Sequence, residues 1–380
     1  MMLPELKIGN LEVEKAIIQG GMGVGISLSG LATAVANEGG IGVISSIGIG
    51  YLKGERNKKG FSSNAHYLRD EIRRAKDGST RGAIGVNIMV AISDFDELVK
   101  ASIEEKADII FAGAGLPLNL PGLARTIDPE TQTKLGVIVS SARAANIICQ
   151  SWHKKYHCLP DIIVVEGPKA GGHLGFHYDQ IFDPNYSLEK ILPEVWHTVH
   201  QFAQQYKKEI PIIAAGGIFT GEDIYQFMSL GADGVQMGTR FVATHECDAE
   251  TQFKEVYVNC REDQVSIITS PVGLPGRVIK TEFIQQIEAG HRKPFTCPWK
   301  CLKTCNFKEA PYCIAEALIN AQQGKMENGF AFAGSNVYKV DRIISVRELF
   351  RELEIGFDLS VAQYLEKDPL EFGNFRFVNL

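Results

Sequence analysis

Over residues 210–241 the chain reads IPIIAAGGIFTGEDIYQFMSLGADGVQMGTRF, and its apolar period changes twice within that stretch. Ile210, Ile212 and Ile213 form a short apolar run that stops at Gly216 and Gly217. Residues 221–230 then have helical spacing, and 234–237 are extended again. The result is one strand-helix-strand unit, and a helix that carries the chain back makes its two strands parallel. Parallel strands with helical crossovers leave two architectures open, a closed barrel and an open doubly wound sheet.

The same rhythm begins near the N-terminus. Strands are expected at 15–19, 41–45, 83–90, 108–111, 134–139 and 161–165, with helices at 29–37, 64–76, 142–155 and 188–206 between them. Asp94, with Glu97 three residues later, is expected to open a further helix as a capping box. Together with the two strands of the 210–241 unit this makes eight βα units. They occupy roughly 245 residues, close to the ~250 typical of a TIM (β/α)8 barrel, so the barrel is the expected fold. After residue 251 the alternation stops. Gly273, Pro275 and Gly276 punctuate a loop, and 282–289, 314–322 and 346–353 read as helices. The expectation is an α/β chain with a barrel over 1–250 and a mostly helical C-terminal extension over 251–380, packed on the barrel and carrying a Cys-rich segment at 297–313.

Composition narrows the function classes. With 45% hydrophobic and 22% charged residues over 380 positions, the chain can bury a large core, and disorder is not expected. A net charge of −6 offers no basic surplus for a nucleic-acid backbone or an anionic membrane, so neither is expected as a partner. The N-terminus lacks a basic start and a long apolar core, and no segment reaches the ~20 apolar residues of a membrane span, so a cytoplasmic protein is expected. Eight cysteines in a chain this long do not make a disulfide scaffold and are read as free thiols.

The residues that carry chemistry sit at the expected C-terminal ends of strands, the face on which barrel active sites are built. Gly20, Gly21, Met22 and Gly23 follow the first strand, Asn87 lies in the third, and Glu166, Gly167, Gly171, Gly172 and His173 follow the sixth. An isolated glycine is most simply a tight turn. Two glycines ahead of a histidine, in EGPKAGGHLGF, let the backbone lie flat against a planar ligand while the imidazole projects from a fixed point. His173 is therefore the candidate acid or base, since an unperturbed imidazole titrates near neutral pH. The two glycine turns that end the last two strands can hold a phosphate on their backbone N–H groups, the usual place for one in such a barrel.

Five motifs in order, IIQGGMGVGIS, GVNIM, EGPKAGGHLGF, AAGGIFTGEDI and GADGVQMGTRF, resemble the nitronate monooxygenase family, formerly called 2-nitropropane dioxygenases, which also includes FMN-containing enoyl-acyl-carrier-protein reductases. The similarity spans most of residues 15–245. It implies a TIM barrel with FMN at its C-terminal mouth. Gly21, Met22 and Gly23 would then lie along the isoalloxazine, Asn87 would hydrogen-bond near it, and Gly172 would contact it. Gly216, Gly217, Gly238 and Thr239 would hold the phosphate, and His173 matches the family's active-site histidine. The chain departs from the pattern at Lys169, where many relatives carry an acid, and in its long tail. No separate dinucleotide fingerprint is present, so NAD(P)H is expected at most as a transient reductant over the flavin.

Cys297, Cys301, Cys305 and Cys313 share CPWKCLKTCNFKEAPYC, half of all cysteines in 17 residues. Their spacing matches neither the paired C-x2-C of zinc ribbons nor the bacterial ferredoxin run, and no metal is assigned to them. The leading class is an FMN oxidoreductase, a nitronate-oxidising monooxygenase or an NAD(P)H-driven reductase of an enoyl thioester or quinone. The competing class is a non-redox lyase or isomerase that binds a phosphorylated ligand. The expected partner is a small-molecule substrate, with a homodimer left open.

Overall fold

The computed structural model describes residues 3–53, 60–291, 293, 295–297, 300–303 and 305–367. A short hairpin, β1 (Leu6–Ile8) with β2 (Leu11–Val13), precedes the barrel. The barrel strands are β3 (Ile17–Gln19), β4 (Ile41–Ser45), β5 (Ala83–Met89), β6 (Ile109–Gly113), β7 (Lys134–Val139) and β8 (Ile162–Glu166). After the two-residue strand β9 (Gly172–His173), which lies outside the barrel, β10 (Ile212–Ala215) and β11 (Gly234–Met237) complete it. All eight pair in parallel, and β11 closes on β3. The TIM barrel expected from the sequence is the observed fold.

Strand alternation sorts the side chains between two cores. Ile18, Val43, Ile109, Phe111, Val164 and Ile213 face inward and pack with Leu6, Ile8 and Val13 of the hairpin, which closes the bottom of the barrel. The intervening residues Ile17, Ile44, Val86, Ile110 and Val165 face the surrounding helices. These helices are α1 (Ser29–Asn37), α2 (Gly60–Gly78), α3 (Phe95–Glu104), α4 (Leu120–Ile127), α5 (Ala142–Tyr156), α6 (Leu188–Tyr206) and α7 (Gly221–Ser229). At the strand starts, acids serve stability. Asp108, Asp161 and Asp233 each accept from a strand N–H, of Ile84, Leu135 and Ile212, at 2.7–2.8 Å.

One cap expectation is corrected. Asp94 precedes α3, but its carboxylate makes no cap; it accepts instead from Asn64 Nδ2 at 2.7 Å. The capping box of the barrel is on α7, where Thr220 Oγ1 accepts from Asp223 N–H and the Asp223 carboxylate accepts from Thr220 N–H.

Beyond the barrel come α8 (Thr239–Val242), α9 (Thr251–Val258), α10 (Glu282–Glu288), α11 (Ile314–Gln322) and α12 (Val346–Lys367). The last helix runs fourteen residues past the expected end at 353, through Gly356. That glycine is where the helix meets the barrel: a Cβ on Gly221 of α7 would fall 2.2 Å from backbone atoms of α12, so the two helices touch main chain to main chain. The extension also contains strands where a loop was expected. β12 (Val265–Thr269) pairs antiparallel with β13 (Pro275–Ile279), and the other edge of β13 pairs first with β9 and then with β14 (Ala331–Phe332). Phe253, Tyr257, Leu349, Phe350 and Phe357 join the outer apolar cluster of the barrel, while Ile268, Val278, Phe283, Ile284 and Phe330 form a separate cluster within the extension. Among the described residues no helix is long and apolar enough to cross a membrane.

Candidate active site

At the C-terminal mouth of the barrel lies a cavity of about 320 Å³. Its deepest polar corner is made by two adjacent strand ends. After β10 the chain turns through Gly216 (φ +97°) and Gly217 (φ +90°), conformations that residues with a Cβ rarely adopt. A Cβ on Gly216 would also approach Gly167 O to 2.8 Å, and one on Gly217 would approach Lys169 Cβ to 2.8 Å. Beside them, β11 ends at Gly238 and Thr239. Among the described residues the N–H groups of Gly216, Gly217 and Gly238 donate to no protein acceptor. Parallel strand ends thus present a cluster of free backbone donors, the chemistry a phosphate dianion requires.

The flat wall comes from the first and third strands. A Cβ on Gly21 would overlap Asn87 Cβ at 2.3 Å, so glycine there lets backbone and amide lie side by side. Asn87 Nδ2 donates to Phe111 O at 3.3 Å. The Met22 turn is held by Ser27, whose Oγ accepts from Met22 N–H at 2.9 Å and whose N–H donates to Met22 O at 3.0 Å. Across the cavity stands Gly172 (φ +82°), where an added Cβ would meet nothing within 4 Å and would project into open cavity. A planar group therefore has a glycine floor on one side and room on the other.

His173 projects beside this floor, and its position is set from the extension. Gly276 of β13 pairs with His173, Leu174 N–H donates to Pro275 O at 2.9 Å, and the imidazole Nε2 lies 2.9 Å from Ser270 Oγ. The ring packs on Phe332 at 5.0 Å between centroids. Burial lowers the His173 pKa to about 4, so the imidazole is uncharged at neutral pH. This corrects the expectation of a histidine titrating near neutrality.

The group that does titrate there is Glu166, the last residue of β8. Burial pushes its carboxyl up to about 7, and no ion pair reaches it among the described residues. The sequence places Glu166 at a strand end but nothing in it signals the perturbation, which comes from the walls around it.

Of the residues singled out in the sequence, Gly20, Gly21, Met22, Gly23, Asn87, Glu166, Gly171, Gly172, His173, Gly216, Gly217, Gly238 and Thr239 line this one cavity, and Gly167 does not. The sequence reading missed the contribution of the extension. Gly334 N–H donates to Thr239 Oγ1 at 3.0 Å, Ser335 N–H donates to Lys169 O at 3.0 Å, and Asn336 Nδ2 donates to Gly217 O at 2.6 Å. These three consecutive residues brace the free-donor corner, and Gly334 and Asn336 also line the cavity. No apolar period or glycine pattern marks them in advance.

The cysteine segment forms another part of the wall. Leu302 bridges Ile92, Ser93 N–H donates to Cys301 O at 3.1 Å, and Cys301 faces the cavity. Burial first, then the neighbouring Cys313, Cys297 and Cys305, push the Cys301 thiol up to about 12, so it is protonated at neutral pH and a poor nucleophile. Among the described residues no group of three or more His, Cys, Asp or Glu is arranged to hold a metal ion.

Comparison with known proteins agrees with this geometry. The nitronate monooxygenase family model matches residues 5–355. A probable nitronate monooxygenase of Staphylococcus aureus is 27% identical over 73% of this chain and 78% of its own length. A (3aS,4S,5R,7aS)-5-hydroxy-7a-methyl-1-oxo-octahydro-1H-indene-4-carboxyl-CoA dehydrogenase of Mycobacterium tuberculosis is 28% identical over 74% of this chain and 67% of its own. Among solved structures, FabK from Thermotoga maritima superposes with a TM-score of 0.73 at 27% identity, covering 94% of this chain and 96% of that one. A nitroalkane oxidase from Streptomyces ansochromogenes has the same fold, with a TM-score of 0.67 at 19% identity over 93% and 98% of the two chains.

Proposed function

Because the chain belongs to the nitronate monooxygenase family and is an FMN-dependent oxidoreductase, we propose that it oxidises alkyl nitronates with O2, releasing nitrite and the corresponding carbonyl compound. Bound FMN would supply the electron-accepting ring that side chains lack. The chain supplies position. Gly216, Gly217, Gly238 and Thr239 would take the phosphate, and Gly21, Met22, Gly23, Asn87 and Gly172 would lie along the ring system.

The observation that carries the reading is the uncharged His173 held by Ser270. A nitronate reaches the site already as an anion and needs no proton for its oxidation. A neutral imidazole N–H can hold such an anion by a hydrogen bond without protonating it back to the nitroalkane. Reduction of an enoyl thioester, by contrast, needs a proton at the α-carbon, which an imidazole with a pKa near 4 carries poorly.

A second reading, an NAD(P)H-driven reductase of an enoyl thioester, has one observation in its favour. Glu166 keeps its proton up to about pH 7 and lines the same cavity. Anaerobic mixing separates the two. Loss of flavin absorbance at about 450 nm on adding a nitronate, restored by O2 with nitrite formed, supports the monooxygenase. Bleaching by NADH or NADPH with no response to the nitronate overturns it in favour of the reductase.

A further inference from the structure

Arg277 is the buried cation that the reading above leaves unused. It sits in the middle of β13 and is 6% exposed. Among the described residues no carboxylate lies within ion-pair distance of it. Its Nη1 donates to Pro168 O at 2.5 Å and to Ala170 O at 2.6 Å, while its backbone pairs with Gly172 and its carbonyl accepts from Ala333 N–H at 3.2 Å. The carbonyls it holds belong to the loop that walls the Gly216 turn: a Cβ on Gly216 would lie 2.8 Å from Gly167 O and 3.1 Å from Ala170 N. A guanidinium is a preferred partner of a phosphate, and a buried one lacking a carboxylate leaves positive charge to be balanced.

We propose that Arg277 is a positioning residue for the phosphate end of the cavity: it fixes the 167–170 loop against Gly216 and supplies, through that loop, positive charge that a phosphate dianion balances. The inference rests on the flavin reading above. It makes the extension part of the cofactor site, and it assigns the charge to a residue that does not itself line the cavity.

The test is titration of flavin-depleted protein with FMN and with riboflavin, which lacks the phosphate. For Arg277→Gln, which can still donate hydrogen bonds, FMN affinity is expected to fall roughly tenfold further than riboflavin affinity. Arg277→Lys keeps the charge and recovers most of that difference near pH 7. A buried lysine loses its proton readily, so in this variant the preference for FMN declines between about pH 7 and 9, as it does not with arginine. Equal losses for both flavins, or unchanged FMN affinity in Arg277→Gln, would overturn the proposal and leave Arg277 a packing residue. Should Arg277→Gln fail to fold, the pH dependence of Arg277→Lys decides alone, and a preference that stays flat overturns it. A wild-type chain that binds neither flavin refutes the reading of the cavity itself, and the proposal with it.

Discussion

At the free-donor corner the barrel presents glycine turns and backbone N–H groups, whereas the extension that faces it braces them through side chains as well as backbone. On the barrel side, Gly21, Gly216 and Gly217 are there because a Cβ would overlap a neighbour or, at the last two, because the backbone has a positive φ. On the other side, Ser270, Arg277, Phe332 and Asn336 hold His173, the 168–170 loop and the Gly217 turn by hydrogen bonds and packing. In the proposed reading the barrel provides the shape of the cofactor site and the extension fixes its rigidity. Loss of a shaping residue is therefore expected to empty the site, while loss of a bracing residue loosens it.

The largest effect is expected on the barrel side. Gly217→Asp places a carboxylate and a strained positive φ where a phosphate would sit, and repulsion of several kcal/mol in a partly dry site corresponds to on the order of 10³-fold weaker flavin binding. The flavin content of the purified variant measures it, and full retention would break the assignment of this turn.

His173 belongs to both sides, and His173→Asn is expected to keep the flavin. A hydrogen bond to an anionic substrate contributes ~1.5 to 3 kcal/mol, so the nitronate half-reaction slows by roughly ten- to a hundredfold while any reduction by NAD(P)H is untouched. Separate half-reaction kinetics provide the readout. Unchanged rates in both halves would reduce His173 to a scaffold for its strand.

Glu166 tests whether the barrel wall does more than give shape. Its folded-state pKa of about 7 exceeds the ordinary 4.5, so the folded chain holds this proton more tightly than the unfolded one. Its stability contribution is therefore present below pH 4.5 and lost as pH rises through 7. Glu166→Gln is expected to be more stable than wild type by roughly 3 kcal/mol at pH 8 and equal to it at pH 4, as urea unfolding would report. The slope from His173 has the opposite sign: its depressed pKa gives stability that is present above 6.5 and lost as pH falls through 4. A Glu166→Gln variant with the same pH profile as wild type would mean that water reaches this carboxyl.

Bracing from the extension is expected to have the smallest effect. Asn336→Ala removes the hydrogen bond to Gly217 O, worth ~1 kcal/mol, and weakens FMN binding about fivefold. A loss as large as that of Gly217→Asp would dissolve the distinction between shaping and bracing.

The same distinction explains what the sequence made legible. Apolar runs that end in glycine are local signals, and they located the eight strands, while the candidate residues at the strand ends came from those glycine turns together with the resemblance to the family. The strand Pro275–Ile279 reads as a loop because proline and glycine disfavour strands, and its partner Gly172–His173 lies about a hundred residues away in sequence. Asp94 carries a capping pattern, but a long-range partner, Asn64, captures its carboxylate. Gly356 looks like a helix stop until Gly221 is packed against it. In each case the deciding contact joins segments that no sequence window contains.

The ladder between β9 and β13 sets how the chain tolerates added or deleted residues. Gly276 stands opposite His173, and consecutive strand residues face opposite sides, so one residue gained or lost in the turn 270–274 would slide the ladder and exchange the faces beside the imidazole. Insertions in other surface loops leave that alignment alone. The aim of His173 is therefore encoded in a length, that of a hairpin a hundred residues downstream, as much as in the identity of any side chain.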